Sequence, residues 1–445
     1  MPKKIFSVFF AFLLSFLCVY TPIKASAFEV TGFEITAEAG MLASLDTGEL
    51  LYENNIDKKV YPASITKIMT VILMLESDKY DPEGKITMTK EALDLVLGTG
   101  SAVSLFKEGD EFTQLDLVYL VLLSSFGDCS YLASIYYGGS VENFVDMMNA
   151  KAQELGLTGT RYANPVGLHD ENNYTTVRDI YNLTLYALEN ETFKEVCQTK
   201  RYTMTASLSG KRTLTTTNFL QDNNTNYYYP YAHGVKTGYT TEAGRCLVST
   251  ASNNGYNYIC ILMKCPVSKT KRYEFAESAD LYRWAFKNFS FKEVATSNEP
   301  VCEMPVELSL DTDFVPLYFK EPFVSVLPNA ADDSTIVIKN HLNQESTEAP
   351  IEKGQVLGYA EVIYAEKVIG KVDLVAGNSV KSSKMLTVFK YIKLFFTSVY
   401  MKIFLLIIAL IILIFICMCI KLNYSKIKKR KVKYIPYKGE NKHAK

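Results

Sequence analysis

Histidine is nearly absent from this chain: His169, His233, His341 and His443 are all that 445 residues contain. Two common routes to hydrolytic chemistry are closed by what is missing. A zinc peptidase wants a clustered histidine pair such as H-E-x-x-H, and a Ser-His-Asp hydrolase wants a G-x-S-x-G elbow; neither pattern occurs. His169, in GLHDE, reads as a loop or packing residue rather than a base. Closely spaced cysteine sets outside the terminal apolar runs are missing too. Of nine cysteines, Cys18, Cys417 and Cys419 lie in those runs, while Cys129, Cys197, Cys246, Cys260, Cys265 and Cys302 are scattered, with no metal-like grouping. Cys246 (RCLVS) and Cys260 (YICILM) sit in strand-like runs and read as core thiols before they read as a bridge. No internal repeat or low-complexity segment stands out.

What the chain does have begins at its ends. Lys3 and Lys4 precede an apolar run from Ile5 to Tyr20, and Ala25-Ser26-Ala27 supplies a small-residue cleavage site before Phe28. Residues 1–27 are therefore expected to be a secretory signal peptide. A second run, Ile403 to Ile420, carries no charge and as a helix would span about 27 Å, enough to cross a bilayer core. Behind it come Lys421, Lys426, Lys428, Lys429, Arg430, Lys431 and Lys433. The positive-inside rule makes 421–445 a cytoplasmic tail, 403–420 a single transmembrane helix, and everything between signal and anchor extracytoplasmic. The formal charge of −1 conceals this asymmetry. Setting both termini aside leaves −13 on residues 28–420, an acidic ectodomain that argues against nucleic acid as a partner.

Between the ends, residues 40–53 alternate around Asp46-Thr47-Gly48 and predict a hairpin. A largely helical middle is expected from about Lys90 to Leu188. A second hairpin, RCLVSTA and YNYICILM, turns at Ser252-Asn253-Asn254-Gly255. Strands at both ends with helices between predict an α+β fold: one antiparallel sheet, closed by sequence-distant strands and flanked by helices. Past Phe289 the texture changes to short β-like runs such as FVSVLP, STIVIKN and GQVLGYAEVIY. The expected division is a catalytic domain over 28–292, a small β-rich domain over 293–380, and a juxtamembrane linker over 381–402 that reads as an amphipathic helix.

The chemistry is carried by a spacing. In YPASITKIMT, residues 61–70, apolar positions 65, 68, 69, 72 and 75 fit a helix with one buried face, and Pro62 suits its first turn. Ser64 falls at the helix start and Lys67 follows one turn later on the same side. That offers a hydroxyl nucleophile, a base in reach, and N–H donors for an oxyanion. A capping serine followed by a surface lysine would look the same. S-x-x-K also recurs at Ser268–Lys271 and Ser425–Lys428, where it carries no meaning.

Two further stretches decide the matter. HGVKTGY (233–239) holds the chain's single K-T-G, on a short strand ahead of the second hairpin, and LLSSFGDCSYL ends an apolar helix on Ser124 and Ser125. S-x-x-K, an S-x-N-type loop and K-T-G, in that order, are the motifs of penicillin-recognising serine enzymes. The chain resembles the D-alanyl-D-alanine carboxypeptidases, the low-molecular-weight penicillin-binding proteins. The likeness covers nearly the whole exported chain, including LYENNIDKKVYPASITKIMT, ANPVGLHDENNYTTVRDI and VKTGYTTEAGRCLV, with PIEKGQVLGYAEV matching that family's β-rich C-terminal module.

The resemblance implies a β-lactamase/transpeptidase-like sheet and a serine mechanism with no cofactor and no metal. Ser64 would attack the penultimate D-alanine carbonyl of a peptidoglycan stem peptide, with Lys67 as base, its pKa depressed by burial and a neighbouring cation. Lys236 would be that cation and would attract the terminal carboxylate, assisted by Thr237. Gly238 would let the substrate backbone lie against the strand, Tyr239 N–H would share the oxyanion hole with Ser64 N–H, and Ser125 would pass a proton to the leaving amine. β-Lactams would inhibit by acylating Ser64. The departure is Ser125-Phe126-Gly127 where the family reads S-x-N. Gly127 has no amide to hold Lys67 or the substrate, Asp128 is a possible substitute, and Gly127→Asn is expected to speed acylation, the more so without the bulky Phe126. That departure also admits a catalytically weak penicillin-binding or wall-binding protein. A β-lactamase is disfavoured because no counterpart of its acidic deacylation residue is evident.

Overall fold

A computed structural model describes residues 28, 30 and 32–431. The expected signal peptide lies outside the described residues, as does 432–445 of the basic tail. The chain divides into two compact units. Within the first, five strands form one antiparallel sheet: β1 (Ala39–Ser44), β2 (Leu50–Asn54), β3 (Ala232–Thr240), β4 (Gly244–Asn253) and β5 (Tyr256–Cys265), in the order β2-β1-β5-β4-β3. The sequence-distant closure is β1 on β5, in register from Ala39 opposite Met263 to Ser44 opposite Tyr258. Both hairpins form where their turn residues stand. Ser44 Oγ accepts from the N–H groups of Asp46 and Thr47 at 3.2 Å each. The second turn is tighter than expected, since both strands run on to leave only Asn254-Gly255, with φ of 51° and 85°. Two consecutive positive φ values match the type I′ turn that suits a twisted hairpin.

Because successive side chains leave opposite faces of a strand, the sheet builds two cores. Met41, Val248, Ile261 and Met263 pack with α1 (Lys67–Leu75) and α2 (Gln114–Leu122), through Ile68, Ile72, Leu117 and Val121. Leu42, Leu247, Cys260 and Leu262 pack on the other side with Phe275, Tyr282 and Trp284 of α4 (Tyr273–Asn288). Double burial explains why these strands read as continuous apolar runs rather than clean alternation. Cys246 and Cys260 are buried free thiols, each pushed up to about 12 by burial.

The helical middle is interrupted by strands the sequence reading did not anticipate: Lys85–Thr87 pairs with Glu111–Thr113, and just beyond it Arg201–Ala206 pairs with Gly210–Thr215. α2 starts at a capping box, Thr113 Oγ1 accepting from Asp116 N at 3.0 Å while Thr113 N donates to Asp116 at 2.9 Å. It stops at Leu122, and α3 (Gly127–Gly138) begins after a four-residue break.

The second unit holds a six-stranded sheet with its own core of Met304, Val315, Leu317, Leu357, Ala360, Leu374 and Ala376. FVSVLP forms a strand, but Val324–Ile336 clusters with the first unit, where Phe323–Pro328 pairs with Phe289–Ala295. α5 (Lys384–Thr397) opens on Ser383, whose side chain caps Leu386 N, and Lys390 pairs with Glu348. α6 (Val399–Lys431) contains 27 residues, Val399–Ser425, long and apolar enough to cross a membrane.

Leu247 lies fully buried at the centre of the sheet. Leu247→Ala should therefore destabilise the protein by about 2–5 kcal/mol, read as an earlier denaturant midpoint.

Candidate active site

Pro62 caps a four-residue 3₁₀ turn, Ala63–Thr66, and α1 starts only at Lys67. This is tighter than the α-helical start expected from periodicity. In a 3₁₀ turn residues three apart eclipse, so Lys67 stands over Ser64. Lys67 Nζ lies 3.0 Å from Ser64 Oγ and donates to the Val166 carbonyl at 2.7 Å. Ala63 is left-handed, with φ of 47°, a conformation that costs about 1–3 kcal/mol and persists only where surroundings enforce it.

Two glycines supply that enforcement. A Cβ on Gly167 would sit 1.8 Å from the Ala63 carbonyl oxygen. One on Gly238 would sit 3.0 Å from the Pro62 oxygen and 3.2 Å from Ser64 N. The absent side chain of Gly238 was expected to make room for substrate. The structure adds a second reason: it lets β3 lie against the Ser64 backbone.

Val166 belongs to a loop whose role sequence reasoning missed. Asn164 Oδ1 accepts from the N–H groups of Val166, Gly167 and Leu168 at 3.2, 2.7 and 3.0 Å, an Asx-type turn that fixes the Val166 carbonyl on Lys67. Thr70 donates to the neighbouring Pro165 carbonyl at 2.7 Å. The N-P-x-G run signals such a turn, though not that its carbonyl meets Lys67. His169 packs edge-on against Tyr61, ring centres 4.7 Å apart.

Across the groove stands a second Ser–Lys pair. Ser125 occupies the break between α2 and α3 with φ of 63°, again left-handed. Lys236 Nζ donates to Ser125 Oγ at 2.8 Å and to the Thr237 carbonyl at 3.0 Å, and Thr237 Oγ1 donates to Thr217 Oγ1 at 2.7 Å. The K-T-G strand is the longer β3, which among the described residues pairs only with β4. Tyr239 lies at its exposed end.

Both lysines are buried, and the effect on each is downward. Burial brings Lys67 to about 7, while the Asp128 carboxylate pulls the other way. Burial also depresses Lys236, with the charge of Lys67 adding to it. Burial, not the neighbouring charge, leads the depression of both. Desolvation makes Lys67 a base near neutrality.

The SFG departure has a steric explanation. A Cβ built on Gly127 would fall 2.2 Å from Ser101 Oγ and 3.2 Å from Val166 Cγ1. The space of an amide there is already taken, so Gly127→Asn alone should not speed acylation, contrary to the expectation from sequence. Asp128 is no substitute either. Its carboxylate accepts from Ser104 N at 2.9 Å, Ser104 Oγ at 2.5 Å and Cys129 N at 2.9 Å, and has no hydrogen bond to Lys67.

Ser64, Ser125, Thr237, Gly238 and Tyr239 line one open groove of about 1040 Å³, together with Ser101, Phe126, His169 and Arg245. Arg245 was also missed. It stands opposite Tyr239 in the β3–β4 register, its guanidinium 4.8 Å from the centre of that ring.

Two opposed Ser–Lys pairs on a sheet edge are the residue types that a serine peptidase with a lysine base requires. Family models agree: residues 24–266 match the one described as D-alanyl-D-alanine carboxypeptidase, and 289–382 match the penicillin-binding protein 5 C-terminal domain. The chain belongs to the D-alanyl-D-alanine carboxypeptidase family. It is 29% identical over 357 residues to D-alanyl-D-alanine carboxypeptidase DacF of Bacillus subtilis, covering 80% of this chain and 88% of that one. It is 30% identical over 375 residues to DacC of Escherichia coli, covering 77% and 84%. Among solved structures, penicillin-binding protein 5 of Haemophilus influenzae superposes with a TM-score of 0.63 at 27% identity, over 80% of this chain and all of that one. The Streptomyces K15 DD-transpeptidase superposes at 0.54 and 29%, over 58% of this chain and all of that one.

A base that works only when neutral gives a rate that rises with pH through its pKa. Acylation should climb through about pH 7 and level above it. The Asp128 carboxylate favours the Lys67 ammonium, so Asp128→Asn should move that midpoint to lower pH. Lys67→Arg, always protonated, should cost about 10²–10⁴-fold in acylation rate.

Proposed function

We propose that this enzyme removes the terminal D-alanine of peptidoglycan stem peptides outside the cell membrane, through an acyl-enzyme on Ser64. The observation that carries the reading is the buried Lys67 amine, 3.0 Å from Ser64 Oγ and near neutrality. Lys67 takes the hydroxyl proton as Ser64 Oγ bonds to the penultimate carbonyl carbon. The oxyanion is held by the N–H groups of Ser64 and Tyr239. Ser125, whose oxygen accepts from Lys236, passes its proton to the departing D-alanine nitrogen as the C–N bond breaks and is reprotonated by the Lys67 ammonium, which returns Lys67 to the neutral amine. Water then hydrolyses the ester with Lys67 again as base. Lys236, Thr237 and Arg245 meet the terminal carboxylate, and the incoming anion reverses part of the depression of Lys236. Gly238 supports the site by admitting the close approach of β3 to Ser64. β-Lactams enter as substrate mimics and stop at the acyl-enzyme.

The same reading assigns 28–292 to catalysis and 293–380 to a β-rich module, a two-part division supported by family matches over 24–266 and 289–382. Residues 381–402 form the juxtamembrane connector. Residues 1–27 are a cleaved secretory signal, 403–420 a single-pass anchor and 421–445 a cytoplasmic tail. Protease added to intact, wall-stripped cells should remove the exported part and spare the tail. Digestion of the tail from outside would refute the orientation.

The full-length protein in detergent should release D-alanine from a peptide ending in D-Ala-D-Ala and take up one labelled penicillin on Ser64. Ser64→Ala should abolish both. A penicillin adduct without D-alanine release would favour the weak binding protein, and rapid turnover of penicillin would favour a β-lactamase. Mass spectrometry placing the adduct elsewhere than Ser64 would sink the assignment.

A further inference from the structure

Gly127 and Ser101 compete for one volume. Gly127 opens α3 with its backbone N–H donating 2.8 Å to the Ala102 carbonyl, so the segment holding Ser101 is tied to the residue whose side chain it replaces. The Asp128 carboxylate then binds Ser104 through both N–H and hydroxyl. Arg212 donates to the carbonyls of Ser104 and Leu105 and lies over the Phe106 ring, 4.7 Å from its centre. The segment that follows Ser101 is thus anchored at Ala102, Ser104 and Leu105. The Ser101 hydroxyl occupies the position that a side chain at 127 would reach, half-buried on the wall of the groove that holds Ser64.

We propose that the Ser101 hydroxyl is a substrate-binding group of this enzyme, and that Gly127 is glycine to make room for it. The inference rests on the peptidase reading above. A peptide lying antiparallel to the unpaired edge of β3 turns alternate peptide groups toward the strand and the others away from it. The groups turned away need partners on the opposite wall. A serine hydroxyl both donates and accepts, so Ser101 can take either an amide oxygen or an amide N–H of the acyl portion of the stem peptide. The family's S-x-N loop meets this need from within the motif. Here the need is met by a side chain 26 positions earlier.

The test uses the full-length protein in detergent and a tripeptide ending in D-Ala-D-Ala. Ser101→Ala should lower kcat/KM about fivefold to tenfold, the worth of one hydrogen bond. The pH midpoint set by Lys67 and the melting temperature should stay unchanged. Ser101→Thr, which keeps the hydroxyl, should remain within about threefold of wild type. Gly127→Asn alone should lose activity by displacing Ser101, and Ser101→Gly combined with Gly127→Asn should recover much of that loss, since neighbours in one volume couple. Ser101→Ala indistinguishable from wild type, Ser101→Thr failing as badly as Ser101→Ala, or Gly127→Asn alone exceeding wild type would each overturn the proposal. Labelling by penicillin keeps the two readings apart. If Ser64 is acylated normally while Ser101→Ala changes nothing, only this inference fails; if Ser64 is never acylated, the peptidase reading itself fails.

Discussion

Burying an amine beside a hydroxyl is the constraint on which the rest of this site depends. A lysine in water holds its proton three units above neutrality and cannot serve as a base at physiological pH. Taken fully out of water, Lys67 falls to about 7. That burial needs walls, and each neighbouring element supplies one: α1 carries the residue, the Asn164 turn presents the Val166 carbonyl, and β3 closes the side with a glycine. The sheet's two apolar cores make these walls stiff enough to hold left-handed backbone at Ala63 and Ser125.

Most of this architecture was legible in the sequence, for reasons specific to each element. The hairpins announced themselves through Asp46-Thr47-Gly48 and Asn254-Gly255, where turn chemistry is local. The sheet's closure by distant strands and the helical layer followed from order and periodicity. The short strand pairs at 85–113 and 201–215 did not, because three-residue strands and alternating threonines are too weak a pattern against a helical surrounding. At the site, Ser64, Lys67, Ser125, Lys236 and Thr237 were legible because motif spacing maps directly onto one groove.

What stayed hidden were the backbone and through-space contributions. Nothing in the letters N-P-V-G says that a carbonyl will meet a lysine 99 positions away, since carbonyls carry no sequence signature. The departure at Gly127 read as a lost amide, or one replaced by Asp128, because Ser101 is remote in sequence and belongs to no motif. The approach of Gly238 to the Ser64 backbone was hidden too, because sequence shows where a side chain is missing and not which partner requires its absence. The 3₁₀ geometry at Ser64 was likewise invisible, a one-turn difference that periodicity cannot distinguish from an α-helical start.

The open edge of β3 has a cost outside catalysis. A strand that offers unsatisfied N–H and C=O groups is a template for any extended chain, including a second copy of itself. On the proposed reading the substrate lies along that edge, so the protection has to be geometric. Lys236 is tied inward to Ser125, and the segment holding Ser101 and Ala102 walls the groove. Such a slot suits a single narrow peptide far better than the twisted face of another sheet. Selectivity against self-association and selectivity for a short peptide end are then the same property of one groove, its width.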